Sequence, residues 1–254
     1  MFLPWVRTTR PLSSAVAGAL AAAAAMGGQG GFTLRGATAG LTMMALAMFG
    51  FCMNDIADFE KDRGAGVRRP VATGELSRVG AAWLAAALVG CAGLLAAATG
   101  TGWMAAAVTG AALAAYSPAA RRFPLCKDLY VAAVCCGPLY YGALAGGRRC
   151  GWISYAVLVC FVLGREVLMD AEEVEGDLRA GMRTVAAWIG TRSAARIGMG
   201  LMITAAAALA VTARTAVAVT TLVSLVCVLS GTRRVEWSRF PMLLGTVALA
   251  WDGR

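Results

Sequence analysis

Residues 36–62 read GATAGLTMMALAMFGFCMNDIADFEKD. The first eighteen of these residues carry no charge, and a helix needs about 20 apolar residues to cross the core of a bilayer. Asp55, Asp58 and Asp62 then follow at the end of the apolar run. Because ionised groups beside hydrocarbon are unfavourable, we expect these aspartates to have a role other than folding the helix.

The composition of the whole chain is typical of a helical membrane protein. Of its 254 residues, 59% are hydrophobic and 15% are charged, and the mean hydropathy is +0.68. Soluble domains carry about 25% charged residues. We therefore expect an all-α, multi-pass transmembrane helical bundle of nine spans, in a single membrane domain over residues 1–254. The expected spans are 12–27, 36–53, 79–99, 103–118, 128–146, 152–169, 194–212, 214–231 and 239–252.

The distribution of basic residues predicts the orientation. With a cytoplasmic N-terminus and alternating spans, eighteen of the 23 lysines and arginines fall in cytoplasmic loops. This bias predicts an integral protein of the cell (inner) membrane, with the lipid bilayer as its surroundings. It also explains the net charge of +9 without a nucleic-acid partner.

The acidic residues are clustered. Ten of the fourteen lie in two windows, within the first acidic segment (residues 54–62) and the second acidic segment (residues 166–177). Each segment follows an expected span that runs inward, so both are expected on the cytoplasmic face, where they can meet. The chain has no histidine and its eight cysteines form no CxxC pair, which argues against a zinc site.

The two segments share one spacing. Asp55, Asp58 and Asp62 stand at i, i+3 and i+7, as do Asp170, Glu173 and Asp177. On a helix each trio would form a column on one face, where like charges repel. A hard cation bound by carboxylate oxygens would relieve this repulsion, and Mg²⁺ held by few carboxylates plus a phosphate is the usual arrangement.

A short sequence repeat follows the two trios. AGVR (65–68) stands after the first and AGMR (180–183) at the same offset after the second. The match favours two related halves that contribute to one site.

Several different kinds of site or protein match the two trios less well. Solvated helix ends would explain one acidic trio, but not two with equal spacing and the same following residues. The EF-hand pattern is absent, as is the DGxxAR pattern of CDP-alcohol phosphotransferases. A cation channel or transporter would place acids deep within its spans rather than at their ends.

Basic residues near the acids suggest a diphosphate ligand, because arginine donates paired hydrogen bonds to phosphate oxygens. At a membrane surface, an isoprenyl diphosphate with its apolar tail between helices fits this description. The candidate diphosphate-binding residues are Arg10, Arg68, Arg69, Arg121, Arg122, Lys127 and Arg183.

The segments NDIADFEKD, RRPVATGELS, YSPAARR and REVLMDAEEVEGDLRAGMRTV resemble those of the UbiA superfamily of intramembrane prenyltransferases. The resemblance covers most of residues 5–190. It implies nine transmembrane helices around a central cavity and two aspartate-rich motifs that bind isoprenyl diphosphate through two or more Mg²⁺ ions. The family motif NDxxDxxxD falls on Asn54, Asp55, Asp58 and Asp62, and the second motif, DxxDxxxD, on Asp170, Glu173 and Asp177. Glu173 departs from that second motif.

The resemblance leaves two reaction outcomes open after the diphosphate ionises. The allylic cation is either transferred to a lipophilic or aromatic acceptor, as in a prenyltransferase, or attacked by its own double bonds, as in a UbiA-type terpene cyclase. We favour prenyl transfer. Aromatic side chains could line the cavity and stabilise the cation. The candidates are Tyr116, Tyr130, Tyr140, Tyr141, Tyr155, Phe161 and Trp188.

Overall fold

The computed structural model describes residues 3–27, 33–98, 100, 102–179 and 181–212. Every regular element in these residues is a helix, which confirms the expected all-α class. In chain order the helices are α1 (Leu3–Thr9), α2 (Pro11–Met26), α3 (Leu34–Ala57), α4 (Phe59–Gly64), α5 (Pro70–Thr73), α6 (Arg78–Ala98), α7 (Trp103–Arg122), a 3₁₀ turn (Pro124–Cys126), α8 (Lys127–Cys135), α9 (Gly137–Ala145), α10 (Trp152–Arg179), α11 (Val185–Ile189) and α12 (Thr191–Thr212).

The helices belong to two compact units that interleave along the chain. Unit 1 comprises Met1–Arg122 and Gly137–Arg149, and contains α1 to α7 and α9. Unit 2 comprises Phe123–Cys136 and Cys150–Arg254, and its described helices are α8, α10, α11 and α12. The first acidic segment lies in unit 1 and the second in unit 2.

Glycines allow the helices of unit 1 to approach closely. A Cβ atom at Gly18 of α2 would lie 2.8 Å from the carbonyl oxygen of Gly40 in α3. A Cβ atom at Gly142 of α9 would collide with the carbonyl oxygen of Ala21 in α2. Small residues at such crossings are typical of helices that pack in membranes. These contacts hold α3, and with it the first acidic segment, against α2.

The core of unit 1 consists mainly of alanine. Its largest members are Met43, Leu46 and Tyr141, and the others are alanines of α2, α3, α6, α7 and α9. The small side chains let several helices pack against α3 at once. The core therefore fixes the point at which the C-terminus of α3 presents its aspartates.

Unit 2 is built around α10 and α12. These helices cross at Gly164 and Gly198, where a Cβ atom on either glycine would lie 2.6 Å from the carbonyl oxygen of the other. Phe161, Leu168 and Met202 fill the core beside this crossing. The hydroxyl group of Tyr155 in α10 donates to the carbonyl oxygen of Ala133 in α8 at 3.2 Å, which joins α8 to the same unit.

Four stretches in the described part of the chain are long and apolar enough to cross a membrane. They are Leu34–Ala57, Arg78–Ala98, Pro124–Ala145 and Trp152–Arg179, and Pro11–Met26 is a shorter apolar helix. The expected spans 214–231 and 239–252 lie outside the described residues. The helical membrane fold is thus confirmed, while the number of nine spans stays a prediction.

Two boundaries differ from the sequence prediction. The expected span 103–118 ended at Pro118, but α7 continues to Arg122 with Pro118 inside it. A proline near a helix end removes one backbone hydrogen bond and leaves the later turns possible. The expected span 128–146 is divided at Cys136, because Pro138 cannot continue the hydrogen bonding of α8 and instead stands in the first turn of α9.

The crossing of α10 and α12 leads to a stability prediction. Gly198→Ala should destabilise the protein by about 1–3 kcal/mol, because the added methyl group meets the backbone of Gly164. Gly200→Ala, two residues further along α12, is the matched control because a Cβ atom there has no neighbour within 4 Å among the described residues. Thermal unfolding in detergent should show a lower Tm for Gly198→Ala and an unchanged or higher Tm for Gly200→Ala; equal Tm values would contradict the close crossing.

Candidate active site

The first acidic segment lies where α3 gives way to α4. Asp58 separates the two helices, with φ −87° and ψ 9°. Backbone hydrogen bonds still connect them, since the Asp58 amide donates to Asn54 and the Asp62 amide donates to Asp58, both at 2.8 Å. The trio therefore spans two joined helices, whereas its spacing predicted one continuous helix.

Two carboxylates of this segment are buried and lie side by side. Asp55 is 2% exposed and Asp62 is 5% exposed. Nη1 of Arg69 lies 2.7 Å from Oδ2 of Asp62 and 3.6 Å from Oδ1 of Asp55. A single guanidinium group thus bridges both acids. Burial raises the pKa of Asp62, and the charge of Arg69 opposes that shift, so the ionised form depends on a cationic partner.

Arg10 supplies a second cation to Asp55. It lies between α1 and α2 and is the one non-glycine residue with positive φ, 45°, in the described part of the chain. Its Nη2 atom lies 2.8 Å from Oδ1 of Asp55, and its guanidinium group lies over the ring of Phe51 at 4.6 Å. Burial lowers the pKa of Arg10, while Asp55 acts in the opposite direction. An unfavourable backbone conformation is thus retained where it directs a half-buried arginine to the acids.

The N-terminal helix is tied to the segment that carries Arg69. Nη1 of Arg7 in α1 lies 2.8 Å from Oε2 of Glu75, and its Nη2 donates to the carbonyl oxygen of Arg68 at 3.2 Å. This ion pair is partly exposed, and such pairs contribute little to stability. Its consequence is positional, since it links the two stretches of chain that deliver Arg10 and Arg69 to the acids.

Helix α7 contributes polar groups to the same region. Nη2 of Arg121 donates a short hydrogen bond to the carbonyl oxygen of Ala57 and lies 3.5 Å from Oδ1 of Asp58. The hydroxyl group of Ser117 donates to Oδ1 of Asn54 at 3.4 Å. A cation at the C-terminus of α3 is also favoured by the helix dipole. Arg121 was predicted from the sequence and Ser117 was not, because a single serine in an apolar helix gives no signal.

The second acidic segment lies on α10, which is continuous from Trp152 to Arg179. Asp170 and Asp177 are 4% and 3% exposed, whereas the side chain of Glu173 is exposed. Residues seven apart on a helix point in nearly the same direction, while those three apart diverge by about 60°. Asp170 and Asp177 are therefore buried on one side of α10 while Glu173 is exposed, and a role for Glu173 in metal binding stays a prediction.

Lys127 connects Asp170 to an acid that the sequence prediction missed. Its Nζ atom donates a short hydrogen bond to Oδ1 of Asp170 and lies 3.8 Å from Oδ1 of Asp128. Asp128 is 2% exposed. Neither of its oxygens, nor Oδ2 of Asp170, accepts a hydrogen bond within the described residues. Asp128 lies outside both acidic segments, so its position beside Lys127 was the only sequence signal.

The repeated AGxR sequences end their helices with similar turns. The Val67 amide donates to the Asp62 carbonyl oxygen, and the Met182 amide donates to the Asp177 carbonyl oxygen, both at 2.9 Å. The glycines of the two repeats have φ values of 68° and 74°, a conformation that favours glycine. The sequence match therefore corresponds to a shared local structure, while an internal duplication stays a prediction.

The remaining candidates have varied surroundings. Arg68, Arg122 and Arg183 are exposed. Of the aromatic candidates, Tyr141 and Phe161 are buried in the cores of their own units, while Trp188 is 80% exposed. Tyr140 is 49% exposed, and Tyr116, Tyr130 and Tyr155 are partly buried.

The donor groups fit Mg²⁺ that arrives with a phosphate. Among the described residues, no three cysteine or acidic side chains are arranged to hold a metal ion by themselves. Mg²⁺ is usually bound by one or two carboxylates, with phosphate and water oxygens completing the shell. The adjacent pair Asp55 and Asp62 meets this requirement, and Asp170 offers an oxygen that accepts no hydrogen bond from the described residues. Each unit thus has buried carboxylate oxygens beside basic side chains.

The solved structures that resemble this chain include UbiA homologs. The homolog from Aeropyrum pernix K1 has a TM-score of 0.80 and 21% identity, over 96% of this chain and 97% of the other. The homolog from Archaeoglobus fulgidus bound to GPP and Mg²⁺ has a TM-score of 0.73 and 18% identity, over 98% of this chain and 99% of the other. At these identities the likeness shows the fold.

Sequence relatives lead to the same family. The chain is 30% identical over 192 residues to a digeranylgeranylglyceryl phosphate synthase of Methanoculleus marisnigri, covering 74% of this chain and 69% of the relative. It is 32% identical over 208 residues to the enzyme of that name from Halobacterium salinarum, covering 80% and 75%. The model of the UbiA prenyltransferase family matches residues 12–249. The chain therefore belongs to the UbiA prenyltransferase family.

Proposed function

We propose that the protein catalyses Mg²⁺-dependent ionisation of an isoprenyl diphosphate and transfers the prenyl group to an acceptor. The observation that carries this proposal is the group of buried, oxygen-only acids paired with arginines at Asp55 and Asp62. The UbiA homologs of Archaeoglobus fulgidus were solved with GPP or DMAPP and Mg²⁺, which supports the same substrate class here.

When the substrate binds, the acids of the first acidic segment would exchange their arginine partners for Mg²⁺. Mg²⁺, when bound, would neutralise the charge that develops on the departing diphosphate. Asp55 and Asp62 would release Arg69 as they bind the metal, and the guanidinium group would then donate to phosphate oxygens. Arg10 lies on the same carboxylate and would make the same change. The buried acids would therefore be paired with a cation in both states, with arginine before the substrate binds and with Mg²⁺ afterwards.

The second acidic segment would act with the same substrate. We propose Asp170 as a metal ligand and Lys127 as a donor to the diphosphate, with Asp177 adding negative charge on the same helix face. Asp58 and Arg121 would complete the first segment, together with Asn54, whose side chain accepts a hydrogen bond from Ser117. Glu173, being exposed, would contribute less than Asp170. The exposed Arg68, Arg122 and Arg183 would guide the anionic substrate rather than hold it.

The acceptor is proposed from the names of the relatives. Both curated relatives are digeranylgeranylglyceryl phosphate synthases, so we propose a glycerol-phosphate-type hydroxyl acceptor. The bond between C1 and the diphosphate oxygen breaks, the acceptor oxygen bonds to C1, and its proton passes to a carboxylate or water. The apolar helices support a bilayer setting, and the basic loops support a site on the cytoplasmic face.

The acids should be essential to diphosphate release. Asp55→Asn, Asp62→Asn and Asp170→Asn should each lower the rate at least about 100-fold, because each removes a metal ligand. The measurement is Mg²⁺-dependent release of diphosphate from geranylgeranyl diphosphate by purified protein in detergent.

The matched controls are acids of the same segments that face outward. Glu60→Gln and Glu175→Gln should remain within about threefold of the unmodified protein, because both side chains are exposed. If all three aspartate variants retained activity comparable to that of these controls, the metal-ligand assignment would be wrong.

Arg69 should contribute to substrate binding. Arg69→Gln should raise KM for the isoprenyl diphosphate about 10- to 100-fold, as expected for loss of a hydrogen bond between charged groups. Arg63→Gln is the control, since Arg63 is exposed and lies over the ring of Phe59 at 5.9 Å. An unchanged KM in Arg69→Gln would mean that Arg69 only balances the charge of the acids.

Product analysis separates transfer from cyclisation. Isoprenyl diphosphates of ten, fifteen and twenty carbons are incubated with Mg²⁺, with and without a prenylglycerol phosphate acceptor. We expect an ether-linked product that requires the acceptor. A cyclic hydrocarbon or alcohol formed without acceptor would instead assign the chain to the terpene cyclases, and no diphosphate release under any condition would refute both.

A further inference from the structure

We propose that Asp128 is an additional Mg²⁺ ligand of unit 2, acting as a pair with Asp170. This inference rests on the proposed function for the identity of the ion. It assigns a ligand outside both acidic segments, on a different helix from Asp170.

The position of Asp128 argues against an ordinary structural role. It lies in the first turn of α8, where an acid often accepts hydrogen bonds from free backbone amides. Neither oxygen of Asp128 accepts a hydrogen bond from any described residue, although the side chain is 3% exposed. Buried carboxylates are otherwise almost always hydrogen-bonded, because leaving them unsatisfied is unfavourable. Capping therefore does not explain this residue.

Asp128 and Asp170 already share one cation. Nζ of Lys127 bonds to Asp170 and lies 3.8 Å from Asp128, so the two carboxylates approach the same positive charge from different helices. Two buried carboxyl groups thus face one ammonium group within 4 Å. Oδ2 of Asp170 also accepts no hydrogen bond within the described residues. The arrangement thus has buried carboxyl oxygen atoms of the kind that a divalent cation binds.

The packing of α8 holds Asp128 in this place. Ala132, one turn further along the same face, is fully buried, and the Tyr155 hydroxyl group of α10 bonds to the Ala133 carbonyl oxygen. Glu166, one turn before Asp170 on α10, accepts a hydrogen bond from Arg165 at 2.6 Å. Glu166 is thus hydrogen-bonded to Arg165, whereas Asp128 and Asp170 both lie within 4 Å of Lys127. A site of two carboxylates is what Mg²⁺ uses when phosphates supply the other ligands.

Removal of the Lys127 charge and removal of Asp128 are expected to have opposite effects on metal binding. If it occupies the position of the metal, it competes with a divalent cation for both carboxylates. Removing its charge should therefore strengthen metal binding, whereas removing Asp128 should weaken it. A lysine that is merely oriented by Asp128 would not produce this opposition.

The test is Mn²⁺ binding to the purified full-length protein in detergent, without substrate, followed by electron paramagnetic resonance. Lys127→Met should bind Mn²⁺ at least about tenfold more tightly than the unmodified protein, since a neighbouring positive charge is removed. Asp128→Asn should weaken binding at least about tenfold in either background. Glu175→Gln is the control and should leave Mn²⁺ binding unchanged, because its side chain is exposed.

Several results would overturn the inference. The first would be equal Mn²⁺ affinity in Lys127→Met and in the double variant that also carries Asp128→Asn. The second would be that Lys127→Met binds no Mn²⁺. Circular dichroism and thermal unfolding identify any variant that fails to fold, in which case Lys127→Gln and Asp128→Ser replace it.

The inference and the proposed function can fail separately. Mn²⁺ binding that depends on Asp128, in a protein that releases no diphosphate, would refute the proposed function alone. Mg²⁺-dependent diphosphate release, together with Mn²⁺ binding that does not depend on Asp128, would refute the inference alone.

Discussion

Buried carboxylates that depend on a cation are the constraint around which both units are organised. An ionised acid removed from water is strongly destabilising unless it is paired. In unit 1 the acids Asp55 and Asp62 meet Arg10 and Arg69, and in unit 2 Asp170 meets Lys127. Each of these acids therefore has a basic partner in the structure. In the proposed function, a bound Mg²⁺ would take the place of the basic side chains and keep the buried acids paired.

Close packing between helix backbones positions the acids of both segments. In unit 1 the contact between Gly18 and Gly40 holds α3 against α2, so that α3 ends where Arg10 enters from the α1–α2 junction. In unit 2 the contact between Gly164 and Gly198 holds α10 six residues before Asp170. Glycine-mediated crossings leave little freedom for rotation of the helix, and an acid one or two turns away is therefore placed accurately.

Periodicity and charge in the sequence predicted much of the fold and part of the candidate site. Apolar runs indicated the helices, and the i, i+7 spacing predicted that Asp55 and Asp62 lie close together, as they do beside the guanidinium group of Arg69. The sequence prediction failed where tertiary context decides. Glu173 is exposed because a residue at i+3 points about 60° away from Asp170 around the helix, whereas a residue at i+7 points about 20° away. Helix α7 continues past Pro118 because a proline near the helix end removes only one backbone hydrogen bond. Asp128 was missed because an isolated acid beside a lysine has no pattern of its own.

The proposed chemistry requires these carboxylates to exchange basic side chains for metal when substrate binds. Anomalous scattering from crystals grown with Mn²⁺ and a non-hydrolysable isoprenyl thiodiphosphate tests this exchange directly. We expect Mn²⁺ peaks about 2.0–2.3 Å from carboxylate oxygens of both acidic segments, with Arg69 and Lys127 turned to phosphate oxygens. Diphosphate bound to arginines alone, with Asp55, Asp62 and Asp170 still paired to their basic partners and no Mn²⁺ beside them, would contradict the exchange.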